Sequence, residues 1–248
     1  MITLKVYGSS SKGNCYLLDN GITKLMLDCG VKKIKDIELD KVDGILITHR
    51  HLDHCGGVKY IKDYYKGKYY SNKETLDILP VIEEYKEEIV AGEMFSIGTF
   101  NIVAFEVNHD VKNYGYLIKD TISNTKTIYI TDTNYIKYQF KDIDYYIIEA
   151  NYSYEWLREK EELDVKERRL FETHMAIENT NEFLQNNTNH NTKKVILCHI
   201  ARDCEDYLAM KDLIELNNKN IDIIPLNPNS KKMVEIVLKK DLEGYDFD

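Results

Sequence analysis

A dense run of metal-ligating residue types, His49-Arg50-His51-Leu52-Asp53-His54, directly follows a short apolar segment. That segment, residues 45–48, reads Ile-Leu-Ile-Thr and predicts a buried strand. A strand that ends in a loop holds the loop's side chains at fixed positions, and residues two apart in extended chain point to the same side. Three imidazoles and one carboxylate within six residues cannot all coordinate one ion comfortably. The run therefore predicts two divalent ions side by side, ~3.5–4 Å apart as in two-metal hydrolases.

Three further residues of ligand type share this placement at the end of an apolar run: His109, Asp132 and His199. A lone histidine at such a position is ordinarily a surface or core residue with satisfied hydrogen bonds. Because the placement recurs, we expect these residues to complete the metal site with ligands from distant parts of the chain. His190 lies in an asparagine-rich loop and is left outside the set.

Short apolar strands alternate with turns and helices along the chain. Strands are predicted at residues 2–7, 15–19, 24–28, 44–48, 94–97, 100–107, 114–119, 127–131, 144–149, 194–199, 221–225 and 233–238. Helices are predicted at residues 57–65, 73–86, 176–185 and 205–216, with the second interrupted or restarted at Pro80, and the charged stretch 153–172 carries no predicted element. The pattern predicts an α/β fold whose sheets are covered by helices on their outer faces. We expect one domain over residues 1–248, with two pseudo-symmetric halves, roughly 1–130 and 131–248.

Composition limits the class of protein. The chain has 248 residues, a net charge of −9 and five cysteines, an odd number that favours free thiols in a reducing, cytoplasmic setting. No apolar run approaches the ~20 residues of a membrane span, and we see no signal peptide, so no membrane partner is expected. The acidic charge weighs against tight, sequence-independent binding of long duplexes.

One stretch departs from this acidic character. Residues 59–73 hold five lysines interleaved with five tyrosines and a single acid. Two interpretations stay open: a solvated helix face followed by a strand, or a rim that contacts phosphates and bases of a nucleic acid.

The ligand-type residues resemble the metallo-β-lactamase-fold hydrolases. The family's His-X-His-X-Asp-His signature is matched in full at residues 49–54, and residues 109–116, 131–133 and His199 match its later segments. The resemblance implies a four-layer αββα sandwich. It also implies that His49, His51 and His109 hold one ion, that Asp53, His54 and His199 hold the other, and that Asp132 bridges both. Zn²⁺ is the first expected metal and Mn²⁺ the second.

Two features narrow the resemblance to one branch of the family. Residues 8–14 and 27–30 are similar to the N-terminal signature of the WalJ-type branch, bacterial proteins linked to DNA exonuclease activity. The order Glu149, His174, His199 is similar to that of phosphodiesterase members. The chain lacks an obvious arm for gripping tRNA, and Thr133 stands where a zinc-binding cysteine would favour a β-lactamase.

These groups suggest a mechanism for phosphodiester hydrolysis. Two divalent ions would share a water, lower its pKa and present a metal-bridged hydroxide to the phosphorus. Asp53 would ligate one ion and orient the water. His174 would protonate the leaving group with Glu149 as its acidic partner, and Thr173 would cap the helix at 176–185, whose N-terminus would lower the pKa of His174. The alternative for His174 is an ordinary surface residue at the start of a helix. The alternative for Glu149 is a structural carboxylate at the end of a strand.

Two substrate classes stay open for this dinuclear phosphodiesterase. A nuclease acting on nucleic acid is favoured by the branch and by the lysine- and tyrosine-rich stretch. A cyclic-nucleotide phosphodiesterase is the alternative favoured by the acidic charge, and other chemistries of the fold, such as thioester hydrolysis, come after both. A non-enzymatic metal-binding protein would be expected only if the ligand set were broken. A homodimer is one candidate for the oligomeric state of the protein.

Overall fold

Two seven-stranded sheets form the framework of the computed structural model, which describes residues 1–32, 38–158, 165–204, 206–230 and 232–239. The first sheet contains β1 (Ile2–Gly8), β2 (Cys15–Asp19), β3 (Lys24–Leu27), β4 (Gly44–Leu46), β5 (Lys68–Ser71) and β6 (Lys86–Glu88). The second contains β7 (Met94–Ile97), β8 (Phe100–Val107), β9 (Asn113–Asp120), β10 (Lys126–Ile130), β11 (Tyr145–Glu149), β12 (Lys194–Cys198) and β13 (Asp222–Pro225). The last strand, β14 (Val234–Lys239), pairs with β1 and so returns to the first sheet.

Six helices flank the sheets in the described residues: α1 (Leu52–Cys55), α2 (Val58–Ile61), α3 (Lys73–Ile78), α4 (Tyr154–Arg158), α5 (Val165–Thr173) and α6 (Ile177–Asn187). Three short 3₁₀ turns span Leu39–Lys41, Glu83–Tyr85 and Ala209–Leu213. Within this same set, no helix combines the length and the apolar character needed to cross a bilayer.

Alternation along the strands creates the layers. In β2, Leu18 belongs to the core between the sheets, whereas its neighbour Leu17 faces a second core that includes residues of α2 and α3. In β11, Ile147 likewise faces the other sheet, whereas Ile148 faces a third core that includes residues of α6. Both faces of these strands are buried, which explains their nearly continuous apolar sequence. The predicted four-layer αββα sandwich is confirmed.

The order of strands brings several strand ends to the site. Strands β3 to β6 run parallel in the first sheet, and β10 to β13 run parallel in the second. The chain passes from one sheet to the other between Glu88 and Met94. The single-domain assignment and its division near residue 130 stay predictions.

Some predicted elements differ from those observed. The helix predicted at 73–86 is interrupted near Pro80 as expected, since α3 ends at Ile78, but it does not restart, because the chain continues into β6. Residues 205–216 form no α-helix in their described part, which instead contains the 3₁₀ turn at Ala209–Leu213. The charged stretch for which no element was predicted contains α4 and α5, apart from residues 159–164, which lie outside the described residues.

The lysine- and tyrosine-rich stretch divides into core and surface. Tyr65 and Tyr69 are buried, with ring centroids 5.2 Å apart, so they serve packing. Tyr60 and Tyr64 are exposed by 45% and 75%, and Lys59 lies over the Tyr60 ring. Tyr60 and Tyr64 are therefore accessible for binding a partner, whereas Tyr65 and Tyr69 are not.

Candidate metal centre

Strand ends of both sheets supply the predicted ligands. Asp132 and His199 follow the parallel strands β10 and β12, and the segment that begins at His49 follows β4 and leads into α1. Asp132 and His199 have φ angles of +52° and +49°, a left-handed conformation that is uncommon outside glycine. Such residues persist where the surrounding structure holds them, and they cluster at functional sites. Here the conformation turns the chain as soon as each strand ends.

All seven predicted ligands meet in two overlapping groups. One group contains His49, His51, His109 and Asp132, and the other contains Asp53, His54, Asp132 and His199. Within each group the ligand atoms lie within 4.8 Å of one another. Asp132 belongs to both groups, which is the position that a bridging carboxylate needs. The assignment of each residue to a particular ion stays a prediction.

The donor set fits divalent cations. The Nε2 atom of His49 is buried and has no hydrogen-bond partner, and an unsatisfied buried polar atom is costly. Imidazole nitrogens and carboxylate oxygens are ligands suited to zinc, and carboxylates also suit manganese. A cation between His49, His51, His109 and Asp132 would give that nitrogen a partner.

The electrostatics of the cluster point the same way. Burial alone would raise the pKa of Asp132, but His199 and His54 hold it well below its usual range, so the carboxylate is anionic. Burial, together with the nearby His54, lowers the pKa of His49 well below its usual value, and burial lowers that of His109 to about 4. An anionic Asp132 beside the neutral imidazoles of His49 and His109 has the protonation states that bind a metal ion, and an ion bound to His54 would take the place of the proton on that imidazole.

Asp28 orients one of the imidazoles. Its buried carboxylate lies 2.6 Å from Nδ1 of His54 and also accepts hydrogen bonds from Thr48 and from the Tyr129 hydroxyl. Burial alone would lower the pKa of His54, but three surrounding carboxylates, Asp132 foremost, raise it well above its usual value. With Nδ1 engaged by Asp28, the Nε2 atom of His54 is directed to the ligand cluster, a common arrangement in metal sites.

Asn14 is a residue that the sequence did not single out. Its Nδ2 lies 3.0 Å from Nε2 of His54, and its Oδ1 lies 3.1 Å from Nδ1 of His199. The nearby Ser9 hydroxyl accepts a hydrogen bond from the backbone of His199. The sequence indicates segment 8–14 only through a family resemblance, because a polar loop has no periodicity that would show which side chain turns inward.

Glu149 and His174 form a close pair beside the ligands. The two side chains approach within 2.6 Å (Nδ1 to Oε1), and the His174 ring stacks on His199 with centroids 5.2 Å apart. Burial alone would lower the pKa of His174, but the Glu149 carboxylate raises it to about 9. Asp132, Glu149, His174 and His199 also meet the geometric criterion for a metal group, so a role as ligands and a role as a proton-donor pair are two alternatives for Glu149 and His174.

The prediction that Thr173 caps the following helix is wrong. α5 extends through Thr173, whose hydroxyl donates to Arg169, and α6 begins only at Ile177. His174 therefore lies at the C-terminal end of α5, where the helix dipole favours a cation. The predicted lowering of its pKa is wrong for the same reason and because of Glu149.

Other groups near the centre have definite partners. Asp110 lies 3.3 Å from His51 and 3.1 Å from His109, and Arg169 of α5 pairs with its other oxygen. Cys55 and Cys198, which adjoin ligands, are buried, and burial raises the pKa of the Cys55 thiol to about 11. Both thiols therefore pack as small apolar groups.

Comparison with known proteins identifies the family. A family model described as a beta-lactamase superfamily domain matches residues 25–200. The chain belongs to this superfamily. Within it, the chain is similar to exodeoxyribonuclease WalJ of Streptococcus pneumoniae, with 29% identity over 221 residues, which cover 80% of this chain and 81% of that protein. It is also similar to exodeoxyribonuclease YycJ of Bacillus anthracis, with 25% identity over 217 residues, covering 80% and 82%.

A solved structure of the superfamily has the same fold. The metallo-beta-lactamase fold protein YhfI from Bacillus subtilis superposes with a TM-score of 0.70 at 17% identity, covering 90% of this chain and 96% of that one. Membership of the superfamily and the intact ligand cluster identify the protein as a metal-dependent hydrolase that uses divalent ions.

Proposed function

We propose that this hydrolase is a two-metal phosphodiesterase that acts on nucleic acid as an exonuclease. The observation that carries the proposal is the Glu149–His174 pair beside a ligand cluster that is complete without it. The pair adds a proton donor to a hydrolytic centre, as cleavage of a phosphodiester with an alkoxide leaving group requires. The two relatives named exodeoxyribonucleases support nucleic acid as the substrate. We propose Zn²⁺ as the first candidate metal and Mn²⁺ as the second.

Two divalent ions, when bound, would activate a water and neutralise the charge that builds on the phosphate. Each of the chain's own groups has a separate task. Asp53, whose Oδ2 lies 3.5 Å from Nε2 of His54, is in position both to ligate an ion and to accept a hydrogen bond from the attacking water. Burial alone would raise the pKa of Asp53, but His54 lowers it, so the carboxylate is an acceptor at neutral pH.

His174 would give the proton to the departing oxygen. Glu149 engages its Nδ1, so the Nε2 atom is left to face the substrate. The backbone N–H of Thr133 donates to the second oxygen of Glu149 at 2.9 Å and so holds the carboxylate in place. Glu149 would thereby fix the orientation of the imidazole and stabilise its protonated form.

A substrate panel tests the proposal. Protein loaded with Zn²⁺ or Mn²⁺ is incubated with bis-p-nitrophenyl phosphate, 5′-phosphorylated DNA, RNA and 3′,5′-cyclic nucleotides. We expect turnover of the model diester and release of mononucleotides from DNA. If the metal-loaded protein hydrolyses no diester, the proposed phosphodiesterase activity is refuted. If it hydrolyses only cyclic nucleotides, the substrate is a small phosphodiester and not a polynucleotide.

Replacing the proton donor should separate catalysis from metal binding. For His174→Ala we expect kcat on DNA to fall by about 10²–10⁴-fold, the usual contribution of general acid catalysis, with two ions still bound. The matched control is His190→Ala, which removes an exposed histidine outside the centre and should leave both quantities unchanged. A His174→Ala protein that has lost an ion would show that His174 is a ligand, and an unchanged rate would remove it as the proton donor.

A further inference from the structure

A cavity of about 460 Å³ adjoins the His174 and His199 end of the metal centre. Its volume lies within the roughly 300–1,000 Å³ that is usual for small-molecule sites. Its lining includes Ser11, Trp156, Leu170, His174, Arg202 and Asp203. We call this cavity the Trp156 pocket.

One side of the Trp156 pocket suits a flat ring. Trp156 of α4 and Leu170 of α5 both pack against the small core formed by Tyr152, Leu157 and Ala176, which fixes their positions. The backbone N–H of Trp156 also donates to the Ser153 hydroxyl at 3.0 Å, which secures the start of α4. An indole packed against this core is a platform on which a nucleobase stacks, whatever its identity.

Another side suits an anion. The Nε atom of Arg202 donates to Asn229 at 3.1 Å, and the Asn229 amide donates back to the backbone oxygen of Arg202 at 2.8 Å. The terminal nitrogens of Arg202 make no hydrogen bond to any residue that the structure describes, and they are the atoms that bind phosphate in pairs. The exposed Ser11 also lines the pocket and offers a hydroxyl, and the exposed Asp203 lines it too.

We propose that the Trp156 pocket binds the nucleotide on the leaving side of the scissile bond, with its base on Trp156 and a flanking phosphate near Arg202. The proposal rests on the phosphodiesterase function proposed above. His174, the proposed proton donor, lines the pocket, and we therefore assign the nucleotide bound there to the leaving side.

The reaction balances in this arrangement. The oxygen of one water bonds to phosphorus while the phosphorus–oxygen ester bond breaks. The departing oxygen takes the proton of His174 and leaves as a hydroxyl, and the proton that the water loses passes to solvent. The products are a phosphomonoester and the hydroxyl-bearing nucleotide in the pocket.

The fluorescence of the protein reports on the pocket directly, because Trp156 is the only tryptophan of the chain. Metal-loaded protein is titrated with dAMP, with 2-deoxyribose 5-phosphate and with inorganic phosphate, and free N-acetyltryptophanamide serves as the optical control. We expect saturable quenching by dAMP and none by the two probes without a base. Equal responses to all three probes, or no response to dAMP, would overturn the proposal.

Abasic substrates test the same contact during turnover. Wild-type protein should cleave DNA with a normal leaving-side base roughly 10- to 100-fold more efficiently, in kcat/KM, than DNA abasic at that position. Trp156→Ala should lose most of this preference through KM, whereas Trp156→Phe should keep it. Ile122→Ala removes an exposed apolar side chain from the turn between β9 and β10, away from the ligand-bearing strand ends, and is the matched control. If Trp156→Ala keeps the preference, the proposal that the base stacks on Trp156 is overturned.

The two readouts separate failure of the pocket from failure of the proposed function. Quenching by dAMP without hydrolysis of any diester would refute the hydrolytic function and the leaving-side assignment while retaining a nucleotide site. Hydrolysis of DNA with no preference for a base would retain the function and refute the pocket.

Discussion

Asp28, Asp132 and His199 share a backbone conformation that links their chemistry to the chain's path. Each follows a buried parallel strand, and each has φ between +49° and +58°. Aspartate tolerates this region better than most residues, and a β-branched residue tolerates it poorly. Two separate reasons therefore favour polar residue types at these positions. The first is their role in the ligand cluster, and the second is the left-handed backbone conformation of the turn.

Asp28→Asn tests the first of these contributions, the one that Asp28 makes to the ligand cluster. The substitution keeps the size and tolerates the backbone, but it removes the charge that faces Nδ1 of His54 at 2.6 Å. We expect metal affinity to fall by about 10- to 100-fold, as is usual when the partner of a ligand histidine is lost. Competition with a chromophoric chelator would measure the change.

Asp142→Asn is the matched control for that variant. Asp142 has a φ of +57°, and its carboxylate accepts hydrogen bonds from Asn189 and Asn191, away from the ligands. The control should retain wild-type affinity. Equal affinities in both variants would contradict the orienting role of Asp28.

The metal ligands could be predicted from sequence because they repeat one pattern, an apolar run that ends in a ligand-type residue. Asn14 could not, because the two imidazoles that it joins lie 40 and 185 positions away in the chain. Its importance appears only when the strand ends converge.

At the level of elements, the loop after β3 supports the short helix α1. Gly30 packs so closely beneath this helix that a Cβ atom at its position would lie 1.7 Å from the backbone oxygen of Asp53. The N–H of Asn14 donates to that same oxygen at 2.7 Å. Segment 27–30, which the sequence indicates only through a family resemblance, therefore makes a close backbone contact that fixes the position of α1.

Gly30→Ala should disturb this contact. Backbone on both sides leaves the methyl group no room, so we expect a loss of about 1–3 kcal/mol in unfolding free energy and a reduced metal content. Chemical denaturation and metal analysis would measure the two effects. Gly92→Ala is a useful comparison, because a Cβ there meets nothing within 4 Å although φ is +88°. It should lose some stability and keep its metal, and a Gly30→Ala protein with full metal content would contradict the proposed support.

Elements differ in how far sequence predicts them. β11 and β12 are apolar on both faces and were correctly predicted. β6 consists of Lys-Glu-Glu, with two of three residues exposed. Its pairing with β5 depends on backbone contacts, so the side-chain pattern does not indicate a strand. The charged α5 shows little apolar character, yet its last turn leads directly into His174.

At the level of the molecule, the candidate centre lies between the two sheets. His49, His51, Asp53 and His54 come from the first sheet's connections, whereas His109, Asp132 and His199 come from the second's. Ions bound by both groups would therefore join the two halves of the sandwich.

Removing the metal should lower the stability of the whole fold. An ion present at one hundred times its dissociation constant stabilises the folded state by about 2.7 kcal/mol, which corresponds to roughly 5–10 °C in Tm for a chain of this size. Scanning calorimetry of the metal-loaded protein before and after chelation would measure this. Asp132→Asn, which weakens the shared ligand, should respond much less. An unchanged Tm after complete loss of metal would show that the ions do not link the sheets.

The division of ligands between two sheets also bears on how such a site can change over evolutionary time. A substitution that shifts the end of β10 or β12 alters the distance to His49 and His54 across the interface, although these residues are far apart in the chain. Residues at facing strand ends are therefore expected to covary among relatives. A chimera that joins one protein's residues 1–88 to the remainder of another would inherit two half-sites that were never selected to match.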